Sequence, residues 1–105
     1  MRQFDLYVNT DHDTNQTYPY FVDIQNDLLA TLNSRVVIPL TPVRKSDQTY
    51  PKHLCPVIEI KNKKFVLLTH QLTSVSVNFL KEKEATLTDS RDDIVAAIDF
   101  LVTGI

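Results

Sequence analysis

Apolar and polar side chains alternate along residues 3–9, so that Phe4, Leu6 and Val8 fall on one face and Asp5 and Tyr7 on the other. That period of two predicts a first strand. Residues 9–17, Asn-Thr-Asp-His-Asp-Thr-Asn-Gln-Thr, carry no apolar side chain that could anchor them and read as a mobile loop. Alternation resumes with Tyr20, Val22 and Ile24 opposite Phe21 and Asp23, giving a second strand in a long hairpin with the first. Residues 26–33 hold Leu28, Leu29 and Leu32 between two asparagines, a piece too short for a full helix, and predict a turn or a single helical coil. The run from Arg35 to Val43 is rich in β-branched residues but contains Pro39 and Pro42, which remove ladder donors; it predicts a strand that bends, at an edge or a bulge.

After a charged loop at 44–53, residues 54–60, 64–72 and 75–80 repeat strand, turn, strand, turn, strand, with Asn62 able to take a left-handed conformation at the Lys61 to Lys64 tip. This predicts a β-meander. The mixed charges of residues 81–89 read as a connection to one helix. Ser90 is its expected cap, Asp92 and Asp93 suit the positive end of the helix dipole, and Ser-Arg-Asp-Asp is a capping signature. Ile94, Ala97, Ile98, Leu101 and Ile105 recur at helical spacing, widened by Val95 and Val102, so this stripe is expected to pack on the sheet. Phe100 lies off the stripe and must meet a loop, a second protomer or a partner.

Length and composition narrow the class. A chain of 105 residues with 43% hydrophobic side chains can bury one core, so a single domain over 1–105 is expected. Eleven basic against thirteen acidic residues create no field that would draw a phosphate backbone. Cys55 is the only cysteine, which excludes an internal disulfide and suits the reducing cytoplasm. The N-terminus shows no signal-peptide pattern, and no apolar run is long enough to cross a bilayer.

Candidate chemistry is sparse. Asp11, His12 and Asp13 could bind a divalent cation, but the loop lacks the ligand spacing, turn glycine and distant glutamate of a calcium site. His53, Cys55 and His70 offer metal ligands or a thiol and imidazole pair, without the second cysteine of the usual zinc spacing. Cys55 sits in an apolar stretch where a free thiol acts as a small core residue. Arg44, Lys45, His53, Glu59 and His70 could supply the base, acid and cation of a ribonuclease, yet they are scattered over separate elements. Lys61, Lys63 and Lys64 could touch phosphate, although a polar hairpin tip needs no function to explain it. With Gly104 as the sole glycine, dinucleotide and P-loop motifs are excluded. Neither a cofactor nor a metal is expected.

Gly104 is the unusual position. A left-handed C-cap accounts for the residue type. A bare surface open to a partner's backbone accounts for its place, one residue from the end of the sequence, and the two readings do not exclude each other. The negative end of the helix and Asp99 would favour a cationic partner group such as arginine.

Residues 20–29 (YFVDIQNDLL), 35–42 (RVVIPLTP), 54–60 (LCPVIEI), 72–77 (LTSVSV) and 92–105 (DDIVAAIDFLVTGI) resemble, in that order, the CcdB family of bacterial toxins over essentially the full chain. The resemblance implies an α+β, mainly β fold: an SH3-like barrel with a five-stranded antiparallel sheet, a smaller sheet and a C-terminal helix, assembled as a homodimer. It implies a non-enzymatic toxin of a toxin–antitoxin pair that enters the DNA-cleaving subunit of DNA gyrase and holds the enzyme with its DNA cut. The family's gyrase-contacting apolar pair falls on Leu28 and Leu29, and its terminal Gly-Ile on Gly104 and Ile105. Three positions depart: the family's tryptophan, phenylalanine and asparagine are here Thr103, Val102 and Asp99. Loss of a tryptophan on arginine stack removes on the order of 1 to 2 kcal/mol of a desolvated contact, and Asp99 could offset this by pairing with an arginine. The resemblance also implies a CcdA-like antitoxin whose disordered segment folds on the toxin and carries the pair's DNA contacts, so that DNA is met only through antitoxin or gyrase. Two other readings remain at this point: an endoribonuclease of the MazF and Kid type on the same barrel, and a homologue that no longer poisons gyrase.

Overall fold

The computed structural model describes residues 1–44 and 50–104. Its elements are β1 (Asp5–Val8), β2 (Tyr20–Asp23), a single 3-10 turn (Asp27–Leu29), β3 (Ser34–Pro42), β4 (Val57–Ile60), β5 (Lys63–Leu67), β6 (Thr73–Ser76), β7 (Lys83–Thr86) and helix α1 (Arg91–Thr103). The strands form one curled antiparallel sheet in the order β4-β5-β3-β2-β1-β7, with β6 paired to β3. The larger and smaller sheets expected of the barrel thus run together through β3, and the fold is mainly β with one C-terminal helix.

The β1–β2 hairpin forms as expected, with Leu6 opposite Val22. Its connecting loop is tied down more than its composition suggests. Asn9 is buried there and its Nδ2 donates to the Tyr18 carbonyl at 2.8 Å and to Thr14 Oγ1 at 3.0 Å. A short hydrogen-bonding side chain supplies the anchor that an apolar count overlooks.

Strand β3 is central, not an edge, despite its two prolines. It pairs with β2 on one side and with β6 and then β5 on the other. Pro39 accepts a bond from the Leu68 N–H at 3.0 Å, so its donorless nitrogen faces the gap between the β6 ladder, which ends at Val37, and the β5 ladder, which begins at Leu40. Pro42 faces the other way, beyond Leu40, where the β2 ladder has ended. Each proline therefore sits where no donor is needed.

The expected meander is likewise altered. Strands β4 and β5 form a tight hairpin with Lys61 (φ 51°) and Asn62 (φ 67°) between the paired Ile60 and Lys63, a two-residue turn of the kind right-handed strand twist favours. Strand β6 then folds back on β3 instead of β5, and residues 77–79 turn as a 3-10 coil where a strand was expected. Lys83–Thr86, expected as a connection, is a seventh strand on the free edge of β1, with a bulge between Leu6 and Tyr7. Its charges suit an edge that must not recruit other chains.

Both faces of the sheet are covered. On one, Leu6, Val22, Ile38, Leu40 and Leu67 pack with Ile94 and Ala97 of α1. On the other, Tyr7, Val37 and Leu80 pack with Phe21, Val75 and Phe79. Ser90 precedes α1 but its side chain makes no capping bond, since the 3-10 turn Thr88–Ser90 feeds directly into the helix. Phe4 is buried at φ 72°, an unusual conformation for an aromatic residue, held by an N–H bond to the Asp23 carbonyl and by the Leu87 N–H on its own carbonyl.

Candidate functional site

Two exposed apolar features stand apart from the core. The first is the turn after β2. Asn26 Oδ1 accepts the Leu28 N–H at 2.9 Å, Leu29 donates to the Asn26 carbonyl at 2.9 Å, and the coil that results buries none of its own residues. Leu28 is 88% exposed, and Leu29 and Leu32 are exposed beside it. A water-facing leucine of that degree in a structured turn marks a surface suited to a partner.

The second is the end of α1. Its apolar stripe is buried at Ile94 and Ala97, but Leu101 is exposed and Val102 is 75% exposed. The stripe outruns the sheet it packs on, so the expectation that all of it packs there holds only for the first half. Phe100, off the stripe, meets the loop residue His53 with ring centres 6.1 Å apart. Gly104 adopts φ 75° and donates its N–H to the Phe100 carbonyl at 2.9 Å, which makes it the left-handed C-cap. A methyl group added there would meet nothing within 4 Å, so backbone conformation alone calls for glycine within this chain. Thr103 Oγ1 donates to the Asp99 carbonyl at 2.7 Å, and no basic residue lies in the last turn to offset the negative end of the dipole. Ile105 lies outside the described residues.

Leu28 and Leu29 thus fall on one patch and Asp99, Val102, Thr103 and Gly104 on another. Among the described residues, no hydrogen bond, ion pair or ring contact joins the two within one chain.

Beneath the first patch lies a group of polar residues that sequence reading did not single out. Asp23 and Arg35 are 0% and 1% exposed and pair at 2.7 Å through Oδ2 and Nε. Gln25, also buried, donates its own N–H to Asp23 Oδ1 at 3.0 Å. Burial pushes the Asp23 carboxyl above its ordinary range, more strongly than Arg35 and the Gln25 N–H pull it down. Burial, together with the charges of Asp5 and Asp23, also holds the proton on the Tyr7 hydroxyl. The signal was present as polar residues at strand positions, but alternation assigns such positions to solvent.

Of the other candidates, Cys55 and His70 are brought together. His53, Glu59 and His70 are exposed, and no hydrogen bond, ion pair or ring contact joins them to one another. Arg44 is exposed, and Lys45 lies outside the described residues. Cys55 is buried with its Sγ 3.5 Å from His70 Nδ1, and burial raises its thiol pKa, the opposite of what a nucleophile requires. Among the described residues, no three His, Cys, Asp or Glu side chains gather as a metal site. A groove floored by the edge-to-face pair Tyr20 and Phe65 is rimmed by Lys63 and Lys64, and it includes none of the expected contact residues.

The chain is thus a small curled antiparallel sheet covered by one C-terminal helix, with apolar side chains presented on a turn and at a helix end. A family model described as CcdB protein matches residues 3–104. The chain belongs to the CcdB family, and it is therefore a toxin of the toxin–antitoxin class. No helix among the described residues is long and apolar enough to cross a membrane.

Proposed function

We propose that this toxin acts as a cytoplasmic homodimer that binds the DNA-cleaving subunit of DNA gyrase and traps the enzyme on cleaved DNA, and that a CcdA-like antitoxin neutralises it. The observation that carries this reading is the outrunning end of α1. Leu101 and Val102 leave the core and Gly104 closes the last turn, which presents an apolar, cation-seeking tip. Family membership supports gyrase as the target. Twofold pairing would place two such tips and two Leu28–Leu29 turns on one assembly, an arrangement suited to a symmetric target. Asp99, exposed in the last turns of α1, would receive an arginine in place of the missing tryptophan stack. DNA enters only through gyrase or antitoxin.

The test is direct. Purified toxin incubated with gyrase, ATP and plasmid is expected to accumulate linear DNA after detergent and protease treatment. Supercoiling that proceeds with no cleaved product at high toxin concentration would remove gyrase as the target. The ribonuclease alternative would instead show as RNA cleavage by the purified protein that is lost on changing Arg44 or His70.

A further inference from the structure

The Asp27–Leu29 turn presents two leucines to solvent and buries none of its residues, so no buried apolar side chain of its own anchors it. Polar bonds do that instead. Gln25 reaches both ways: its Nε2 donates to the Leu29 carbonyl at 3.0 Å, while its Oε1 accepts the Val36 N–H of β3 at 3.1 Å. One amide therefore ties the far end of the turn to a central strand. Arg35 braces the same segment from below, with Nε on Asp23 Oδ2 at 2.7 Å and Nη2 3.5 Å from the Gln25 carbonyl and 3.9 Å from Asp27 Oδ1. Asp27 Oδ1 also accepts the Gln3 N–H at 2.8 Å, and Gln3 Nε2 donates to the Ile24 carbonyl at 3.0 Å.

We propose that Gln25, held by the buried Asp23–Arg35 pair, is a positioning residue that preorganises the Leu28–Leu29 turn for its partner. A buried ion pair contributes little net stability. Desolvating an aspartate and an arginine costs about as much as their attraction returns, and apolar residues of similar volume would stabilise the fold at least as well. What such residues could not supply is a fixed, directional grip on the backbone carbonyl of a turn that buries no side chain of its own. Ordering that turn before binding removes an entropy cost from association, which tightens binding without adding a contact. Gln25 is itself buried and is not offered to the partner. The role in binding rests on the reading of this turn as a gyrase contact.

Gln25→Met keeps the volume and removes both bonds. The variant is expected to retain the circular-dichroism spectrum and native mass of the parent. Its Leu29 and Ala30 amides should exchange with deuterium roughly tenfold or more faster, while those of Val22 and Leu40 stay unchanged. Its affinity for a fragment of the DNA-cleaving gyrase subunit should fall roughly tenfold or more, the value of one lost hydrogen bond to a group that must be ordered. A merely structural role would speed exchange throughout the sheet and lower the melting temperature without singling out the turn. Unchanged exchange at 29–30, or uniform acceleration, overturns the positioning role. Leu28→Ala/Leu29→Ala, run in parallel, separates the two claims. If it binds gyrase as the parent does, the turn is no gyrase contact and the binding half of the proposal falls, whereas local acceleration in Gln25→Met still stands or fails by itself.

Discussion

The carboxylate of Asp23 on β2 meets the guanidinium of Arg35 on β3 at 2.7 Å, and both side chains are closed off from water. Removing one partner leaves a buried charge without compensation, whereas removing both restores an apolar interior. Arg35→Met is expected to lower unfolding free energy by about 3–5 kcal/mol, and Asp23→Leu/Arg35→Met to recover most of that loss. Urea denaturation of the two single variants and the double variant measures this coupling. Equal destabilisation by all three would show that the pair does not act as a unit.

Glu84 on the edge strand β7 accepts the Tyr20 hydroxyl at 3.0 Å and lies 3.2 Å from Lys61 Nζ. Those donors, Lys61 first, hold its carboxyl below the ordinary 4.5 in the folded state. A depressed carboxyl contributes stability above its unfolded value and loses it as pH falls through the folded one. The parent should therefore lose more melting temperature than Glu84→Gln between about pH 5 and pH 3. The difference should be small, because the Lys61 ammonium is largely open to water, which screens the contact. Identical acid profiles would contradict the assignment.

Cys55 predicts a chemical silence. Its thiol is buried and burial raises its pKa above the ordinary 9.0, so little thiolate exists at neutral pH even with His70 3.5 Å away. Alkylation by iodoacetamide at pH 7.5 should be at least about tenfold slower in the native protein than in urea. Rapid native labelling would make this cysteine reactive after all.

Gly104 separates two roles for one residue. Alanine there meets no atom but must hold φ 75°, which costs about 1 kcal/mol. Gly104→Ala should shift thermal stability only by that amount. Trapping of cleaved gyrase complexes should fall more than this small destabilisation accounts for, because the added methyl stands where a partner's backbone is proposed to approach. Trapping that merely tracks stability would leave the glycine as a cap and nothing more.

Much of this fold could be read from side-chain alternation, because that pattern reports burial directly. The β1–β2 hairpin and α1 follow from apolar periodicity. The coil at 27–29 follows from its short length between asparagines, and the Lys61–Asn62 turn from its residue types. Alternation failed where the determinant was not apolar. Pro39 and Pro42 suggested an edge because their harmlessness in β3 depends on where two other ladders stop, a tertiary fact. Strand β7 was hidden because it is short and two of its residues, Lys83 and Glu84, are charged. Asp23, Gln25 and Arg35 are polar, so apolar alternation does not mark them as interior, and only the second layer formed by Phe21, Val75, Phe79 and Leu80 shows that this face of the sheet is covered. Of the candidate contact residues, Leu28, Val102 and Gly104 are exposed, and their proposed role is joint engagement of one target.

That engagement is tested most directly by a chain ended at Val102 and compared with the full chain in the gyrase cleavage assay, with native mass and circular dichroism measured on both. The account predicts that the shortened protein keeps its fold and assembly but yields no linear plasmid. Linear plasmid at the level of the full chain would contradict it.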